Sequence, residues 1–138
     1  MGIGSSKKNM SNAMDNPQVA AAVADINSGK ESGFVKVVLK EGNGTTPQPG
    51  AQCEMHYTGS LTNGKVFDSS RTKQRTFRFQ VGVGQVIKGW DEGVVTMKKG
   101  EQAILICASG HAYGPGGIPG VIPPAATLIF DVELLNFQ

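Results

Sequence analysis

The residues of this chain that could do chemistry do not form a covalent-catalysis signature. His56 and His111 are the only histidines, and neither stands at metal-ligand spacing from a second donor. Cys53 precedes His56 by three residues, and on an alternating strand the two point to opposite faces, which argues against a Cys-His nucleophile pair. Gly82-Val83-Gly84 lacks the third glycine of a dinucleotide-binding turn, and there is no phosphate-binding loop or Gly-x-Ser-x-Gly elbow. The unusual feature is aromatic: Tyr57, Phe67, Phe77, Phe79, Trp90, Tyr113 and Phe130 fall in one stretch of the chain. Core packing is the plain expectation for any one of them. Two positions point further. Trp90 sits in a glycine-bearing helical segment and Tyr113 in a Gly/Pro-rich loop, where a ring tends to border a surface or a ligand. The chemistry suggested is that of a shaped aromatic enclosure.

The elements that must position these rings can be read from periodicity. Phe34–Lys40 alternates with Val35, Val37 and Leu39 on one face. From Gln52 to Thr58, Cys53, Met55 and Tyr57 share one face, and Glu54, His56 and Thr58 the other. Asn63-Gly64 marks a tight hairpin turn, after which a short strand passes through Val66 and Phe67. Residues 69–75 read as a polar loop, and Thr76–Val81 as a strand with Phe77, Phe79 and Val81 together. Val86, Trp90 and Val94 recur at helical spacing over 86–95, with Ile87 broadening the stripe. Gly89 and Gly93 weaken that helix, so close packing against it is expected. Glu101–Cys107 and Thr127–Leu135 complete the strands, the latter with Leu128, Phe130, Val132 and Leu134 on one face and Asp131 and Glu133 on the other. Ser109–Pro124 is a long Gly/Pro-rich loop. Five to six short antiparallel strands and one short helix describe an α+β domain over 34–138, with the helix covering one face of a twisted sheet.

Residues 1–33 read as an N-terminal extension, a polar leader followed by a helix over 15–28. Asp15 or Asn16 suits its cap, Pro17 its first turn and Gly29 its exit. Val19, Val23 and Ile26 make a narrow apolar face, which predicts weak docking or a contact with something else, serving location or contacts rather than chemistry. The opening Met1-Gly2-Ile3-Gly4-Ser5-Ser6, followed by Lys7 and Lys8, fits a signal for N-myristoylation of Gly2. One such chain holds a membrane only marginally, so the expected location is cytoplasmic, with weak membrane association if Gly2 is acylated.

The 138 residues, 39% of them hydrophobic, suffice for one core and are too few for two comfortable ones. A net charge of +2 is a solubility-scale charge and argues against nucleic acid as a partner. The densest basic cluster, Arg71, Lys73, Arg75 and Arg78, reads as a solvated face. Cys53 and Cys107 lie in apolar strand patterns and are expected to be buried free thiols.

Three runs together resemble the FK506-binding-protein type of peptidyl-prolyl cis–trans isomerase. They are His-Tyr-Thr-Gly-Ser-Leu-Thr-Asn-Gly-Lys-Val-Phe-Asp-Ser-Ser at 56–70, Val-Gly-Val-Gly-Gln-Val-Ile-Lys-Gly-Trp-Asp-Glu-Gly-Val at 81–94, and Ala-Tyr-Gly at 112–114 with the run 118–135. The resemblance covers about residues 34–137 and implies a curved antiparallel sheet wrapped around one short helix. It implies a pocket with Trp90 at its base, flanked by Tyr57, Phe77 and Phe130. Phe67, Val86 and Ile87 would be its walls and Asp68 its lone carboxylate. Tyr113, Ile118, Val121 and Ile122 would close the rim. The implied activity is rotation about X–Pro bonds in peptides and client proteins, without cofactor or metal, by a monomer. Tyr57 and Asp68 would supply polar contacts to the substrate, and Tyr113 O–H and Ile87 N–H would donate to a bound carbonyl. FK506 and rapamycin binding is implied too, with the drug complex facing calcineurin or a TOR kinase. A non-catalytic module holding a proline motif in the same pocket is the alternative, and a structural β protein with packed aromatics the blander one.

Two positions depart from the family pattern. An arginine is frequent five positions after the pocket aspartate, where this chain has Lys73, so Asp68 is expected to be less firmly held or to be tethered by Arg71 or Arg75. Ile118 stands where the rim often carries histidine, which makes the rim more apolar.

Overall fold

The computed structural model describes residues 12–138, so the Gly2 acylation signal and its lysines lie outside the described residues. Strand alternation produces six strands: β1 (Phe34–Lys40), β2 (Gln52–Leu61), β3 (Val66–Ser69), β4 (Phe77–Gln80), β5 (Gln102–Cys107) and β6 (Leu128–Phe137). They form one sheet in the order β1-β5-β6-β2-β3, with β4 also paired to β2. Every pairing is antiparallel. β4 takes the first half of β2, from Gln52 to Met55, and β3 the second, from Thr58 to Ser60. The connection between them, residues 70–76, therefore turns back beside the middle of β2.

Two helices lie on opposite sides of this sheet. Helix α2 (Lys88–Gly93) is shorter than the 86–95 pattern predicts. Val86 and Ile87 form its lead-in and Val94–Thr96 continues as a 3₁₀ turn. The glycines explain how so short a helix packs. A Cβ on Gly89 would collide with Cys107 Sγ, and one on Gly93 would stand 2.9 Å from Leu105 Cδ2. Only bare backbone lets α2 approach β5 this closely. Between helix and sheet lies the main core, including Cys53, Met55, Phe79, Val94, Met97, Leu105, Leu128 and Val132. Both cysteines are buried and free, and burial pushes the thiol of Cys53 up to about 11 and that of Cys107 up to about 12.

Helix α1 (Pro17–Asn27) covers the other side. Asn16 Oδ1 accepts from Gln18 N at 2.8 Å, and Pro17 occupies the first turn. The weak docking predicted from its narrow face is corrected here. Val19 is fully buried, and Ala22 and Val23 nearly so, against Val37, Ile104, Ile106 and Ile129. The second valine-sized layer on the sheet makes a narrow stripe sufficient, because alanines let the helix axis come close.

Candidate active site

The rings gather where α2, β2, β4 and β6 converge. Alternation on β2 puts Tyr57 on the face toward α2, and β6 places Phe130 beside it, paired in register with Gly59. That glycine matters: a Cβ there would lie 2.7 Å from Phe67 and 2.9 Å from Phe130, so both rings lean over bare backbone. Trp90 from α2 is the hub. Its ring centroid lies 5.1 Å from Tyr57, 5.9 Å from Phe77, 5.7 Å from Phe79 and 5.4 Å from Phe130. The contacts with Tyr57, Phe77 and Phe130 are edge-on, with interplanar angles of 78°, 77° and 84°. Such a set is mutually attractive and leaves the upper ring face open. The indole N–H of Trp90 is buried with no hydrogen-bond partner among the described residues, so packing alone holds the ring.

Above Trp90 is a cavity of about 250 Å³, lined by Tyr57, Phe67, Asp68, Phe77, Gln85, Val86, Ile87, Trp90, Tyr113 and Phe130. Ile118, Val121 and Ile122, expected at its rim, are not among the lining residues. Ile118 and Ile122 bridge each other through two 2.8 Å backbone bonds, which turn Ile122 inward, only 3% exposed, into the main core. Gln85 is the lining residue that periodicity does not reveal. It sits in a turn with no repeat, and its place depends on bonds to Gln80 N at 2.9 Å and Gln80 Oε1 at 3.1 Å.

Asp68 is the one carboxylate at the cavity, and its tether corrects the expectation from sequence. Lys73 itself returns to Asp68, with Nζ 2.9 Å from Oδ1, while Arg71 pairs with Glu133 at 2.6 Å. The 70–76 connection brings Lys73 back through bonds from Lys73 N to Ser69 O and Arg75 N to Ser70 O, with Gln74 in the left-handed region at φ 58°. The other oxygen, Oδ2, accepts from Tyr57 O–H at 2.5 Å. The Tyr57 proton is thus directed at Asp68, so of the polar contacts expected from Tyr57 this arrangement leaves the acceptor kind. Burial raises the Asp68 carboxyl, but the Tyr57 hydrogen bond, the Lys73 bond and charge, and the Ser69 N–H outweigh it, so the group lies below its ordinary value. Burial and the adjacent Asp68 push Tyr57 well up, and the same two causes raise Tyr113. Both hydroxyls stay protonated at neutral pH.

Donors for a bound carbonyl remain among the other lining residues. Ile87 caps α2, whose first bonds run from Trp90 N and Asp91 N to Ile87 O. As a cap residue, Ile87 keeps its own N–H outside the helical ladder. Tyr113, 42% exposed, presents its hydroxyl at the mouth.

The arrangement is an apolar enclosure with one immobilised carboxylate, and comparison with known proteins identifies the family of the chain that carries it. The family of FKBP-type peptidyl-prolyl cis-trans isomerases matches residues 43–135. The chain belongs to the FKBP-type isomerases. It is 52% identical over 101 residues to FK506-binding protein 1 of Dictyostelium discoideum, covering 73% of this chain and 94% of that one. It is 55% identical over 104 residues to a peptidyl-prolyl cis-trans isomerase of Schizosaccharomyces pombe, covering 75% and 93%. Fkbp12 of Drosophila melanogaster is 50% identical over 107 residues, covering 77% and 99%. This FKBP-type protein is thus a peptidyl-prolyl isomerase acting on proline-containing substrates. β2 to β5 and α2 lie within the matched family region and β6 runs two residues past its end, whereas α1 and β1 precede it.

Proposed function

We propose that this isomerase seats the substrate proline on Trp90, between Tyr57, Phe77 and Phe130, with Phe67, Val86 and Ile87 as walls. The observation that carries the reading is the open face of the edge-on ring cluster, roofed by a cavity with a single fixed carboxylate. Planar X–Pro amides resist rotation by about 18–20 kcal/mol because resonance shifts charge from nitrogen to oxygen. The twisted amide loses that resonance and its charge separation. An apolar, water-poor enclosure disfavours the planar dipole more than the twisted form, which lowers the barrier without a nucleophile. Ile87 N–H and Tyr113 O–H hold the flanking carbonyls and fix the axis of rotation. Asp68, engaged at both oxygens, moves no proton. It holds Tyr57 in place at the edge of the cavity.

The same cavity binds FK506- and rapamycin-type macrolides in this reading; FK506 binding is what the name of the Dictyostelium relative says of that protein. Calcineurin or a TOR kinase would meet the drug complex on the face bearing Lys73, Tyr113 and the 118–122 loop. The decisive experiment is turnover of X–Pro tetrapeptides with and without FK506, alongside Trp90 fluorescence, Trp90 being the only tryptophan. Stoichiometric quenching of Trp90 with loss of turnover is expected. Full turnover at saturating FK506, or a flat fluorescence titration, overturns the assignment of chemistry to this cavity.

A further inference from the structure

One wall of the cavity is built from consecutive residues Gln85, Val86 and Ile87, which end the turn joining β4 to α2. This turn is pinned at its start, where Val81 N donates to Ala51 O at 3.0 Å and Gly50 N to Val81 O at 2.7 Å. Beyond that point it leaves the sheet. Gly82 and Gly84 both lie in the left-handed region, at φ 80° and 83°, and Val83 between them is exposed. No strand partner holds this stretch. The Gln85–Gln80 bonds hold its far end, and from Gly82 to Gly84 it is held by one side chain: Asp91 Oδ1 accepts from Gly82 N, and Asp91 Oδ2 from Gly84 N, each at 2.8 Å. Two amides on one carboxylate are charge-assisted bonds, shorter and stronger than neutral ones. Asp91 follows Trp90 directly in α2. The carboxylate that fixes the turn is therefore carried by the same helical turn as the floor of the cavity.

We infer that Asp91 is a positioning residue for isomerisation: it sets the height of the Gln85–Ile87 wall above Trp90 and aims the Ile87 N–H at the substrate. The inference rests on the isomerase reading of the cavity. Its chemistry is specific to a carboxylate. An asparagine has the same shape but one acceptor, and its NH₂ would face an amide N–H that it cannot satisfy. The turn would then loosen while the fold, whose cores Asp91 does not join, persists.

The test compares wild type, Asp91→Asn and Asp91→Ala by tetrapeptide kinetics and by amide hydrogen exchange at Gly82 and Gly84. D91N is expected to lower kcat/KM by about tenfold, with a rise in KM as well as a fall in kcat, because both wall contacts and carbonyl orientation are degraded. Exchange at Gly82 and Gly84 should accelerate while that of β5 and β6 amides stays as in wild type. Unchanged kcat/KM in D91N overturns the inference. So does a lower melting temperature with unchanged kinetics of the folded protein, which would make Asp91 purely structural. If D91A does not fold, the isosteric D91N carries the test alone. Absence of turnover in the wild type would instead fail the isomerase reading, and accelerated exchange in D91N with weaker binding of a proline peptide would still support the positioning role.

Discussion

On one face the sheet meets α2 through rings, and on the other it meets α1 through branched aliphatic residues and alanines. β6 serves both faces with consecutive residues: Phe130 lines the cavity, and Ile129 lies beneath α1. Val19, Ala22 and Val23 fill the space over Val37, Ile104, Ile106 and Ile129. Small side chains on a three-turn helix cover that layer, while a broader polar groove borders it at Asn16 and Asp131. The ring cluster cannot close its own space, because edge-on aromatics around Trp90 leave a face uncovered and α2 has only six residues with which to cover it. The carboxylates differ in the same sense. Asp68 lies below its ordinary value because Tyr57 and Lys73 hold both oxygens against the opposing effect of burial. Asp131, on the α1 side of the sheet, is raised by burial, which the Gln102 hydrogen bond and the charge of Arg71 only partly offset. A ring-lined cavity and a carboxylate held at both oxygens mark the working face; an aliphatic layer bordered by a broad polar groove, and a carboxylate whose charge burial disfavours, mark the other.

This contrast can be broken by mutation. Phe130→Ala should affect both stability and chemistry, costing about 3–5 kcal/mol by the usual range for buried aromatics. It should also reduce kcat/KM at least about tenfold through loss of the cavity wall. Urea unfolding and tetrapeptide kinetics on one sample check both. Deleting residues 1–30 should cost about 3–6 kcal/mol, from the two buried valines of α1 at about 1.5–3 kcal/mol each. It should expose the Ile104–Ile106–Ile129 layer to a hydrophobic dye, yet leave kcat/KM within about twofold. A tenfold kinetic loss there would show that α1 supports the cavity across the sheet. Ile129→Ala should cost about 2–4 kcal/mol with kcat/KM of the folded protein unchanged, separating neighbours on one strand.

The carboxylates sharpen the comparison with smaller effects. Asp131 is raised, so its charged form is disfavoured in the fold, and that destabilisation grows as pH rises through its folded value. Asp131→Asn, which keeps an acceptor for Gln102, should stabilise the protein at pH 7 by about 0.5 kcal/mol in denaturant unfolding. A loss of stability would mean that the Arg71 charge outweighs burial. Asp68 is depressed, so its contribution is fully present above the ordinary aspartate range and is lost only as pH falls through its lower folded value. Lys73→Met removes one of the two side-chain tethers, leaves burial to act more strongly and should move that acid limb of the stability profile to higher pH in denaturant unfolding. An unmoved limb would show that Tyr57 alone sets it.

Local patterns in the chain determine much of this structure. Alternation at Cys53, Met55 and Tyr57 and at Leu128 through Leu134 assigns both strands and their inward faces, because a period of two leaves no choice once one face is apolar. The cap at Asn16 and the expected close packing at Gly89 and Gly93 are equally local in origin. The matched runs around Tyr57, Trp90 and Tyr113 indicate the family and its ring cluster. Other features depend on where chain segments meet. That α1 buries its narrow stripe fully follows from the second face of β1, β5 and β6, which no single segment displays. That Lys73 rather than Arg71 reaches Asp68 depends on a left-handed Gln74 and the path of the 70–76 connection. The inward turn of Ile122, the place of Gln85 and the commitment of the Tyr57 proton to Asp68 likewise come from distances between side chains. Periodicity reports the direction in which a residue points, and only tertiary structure decides what it meets there.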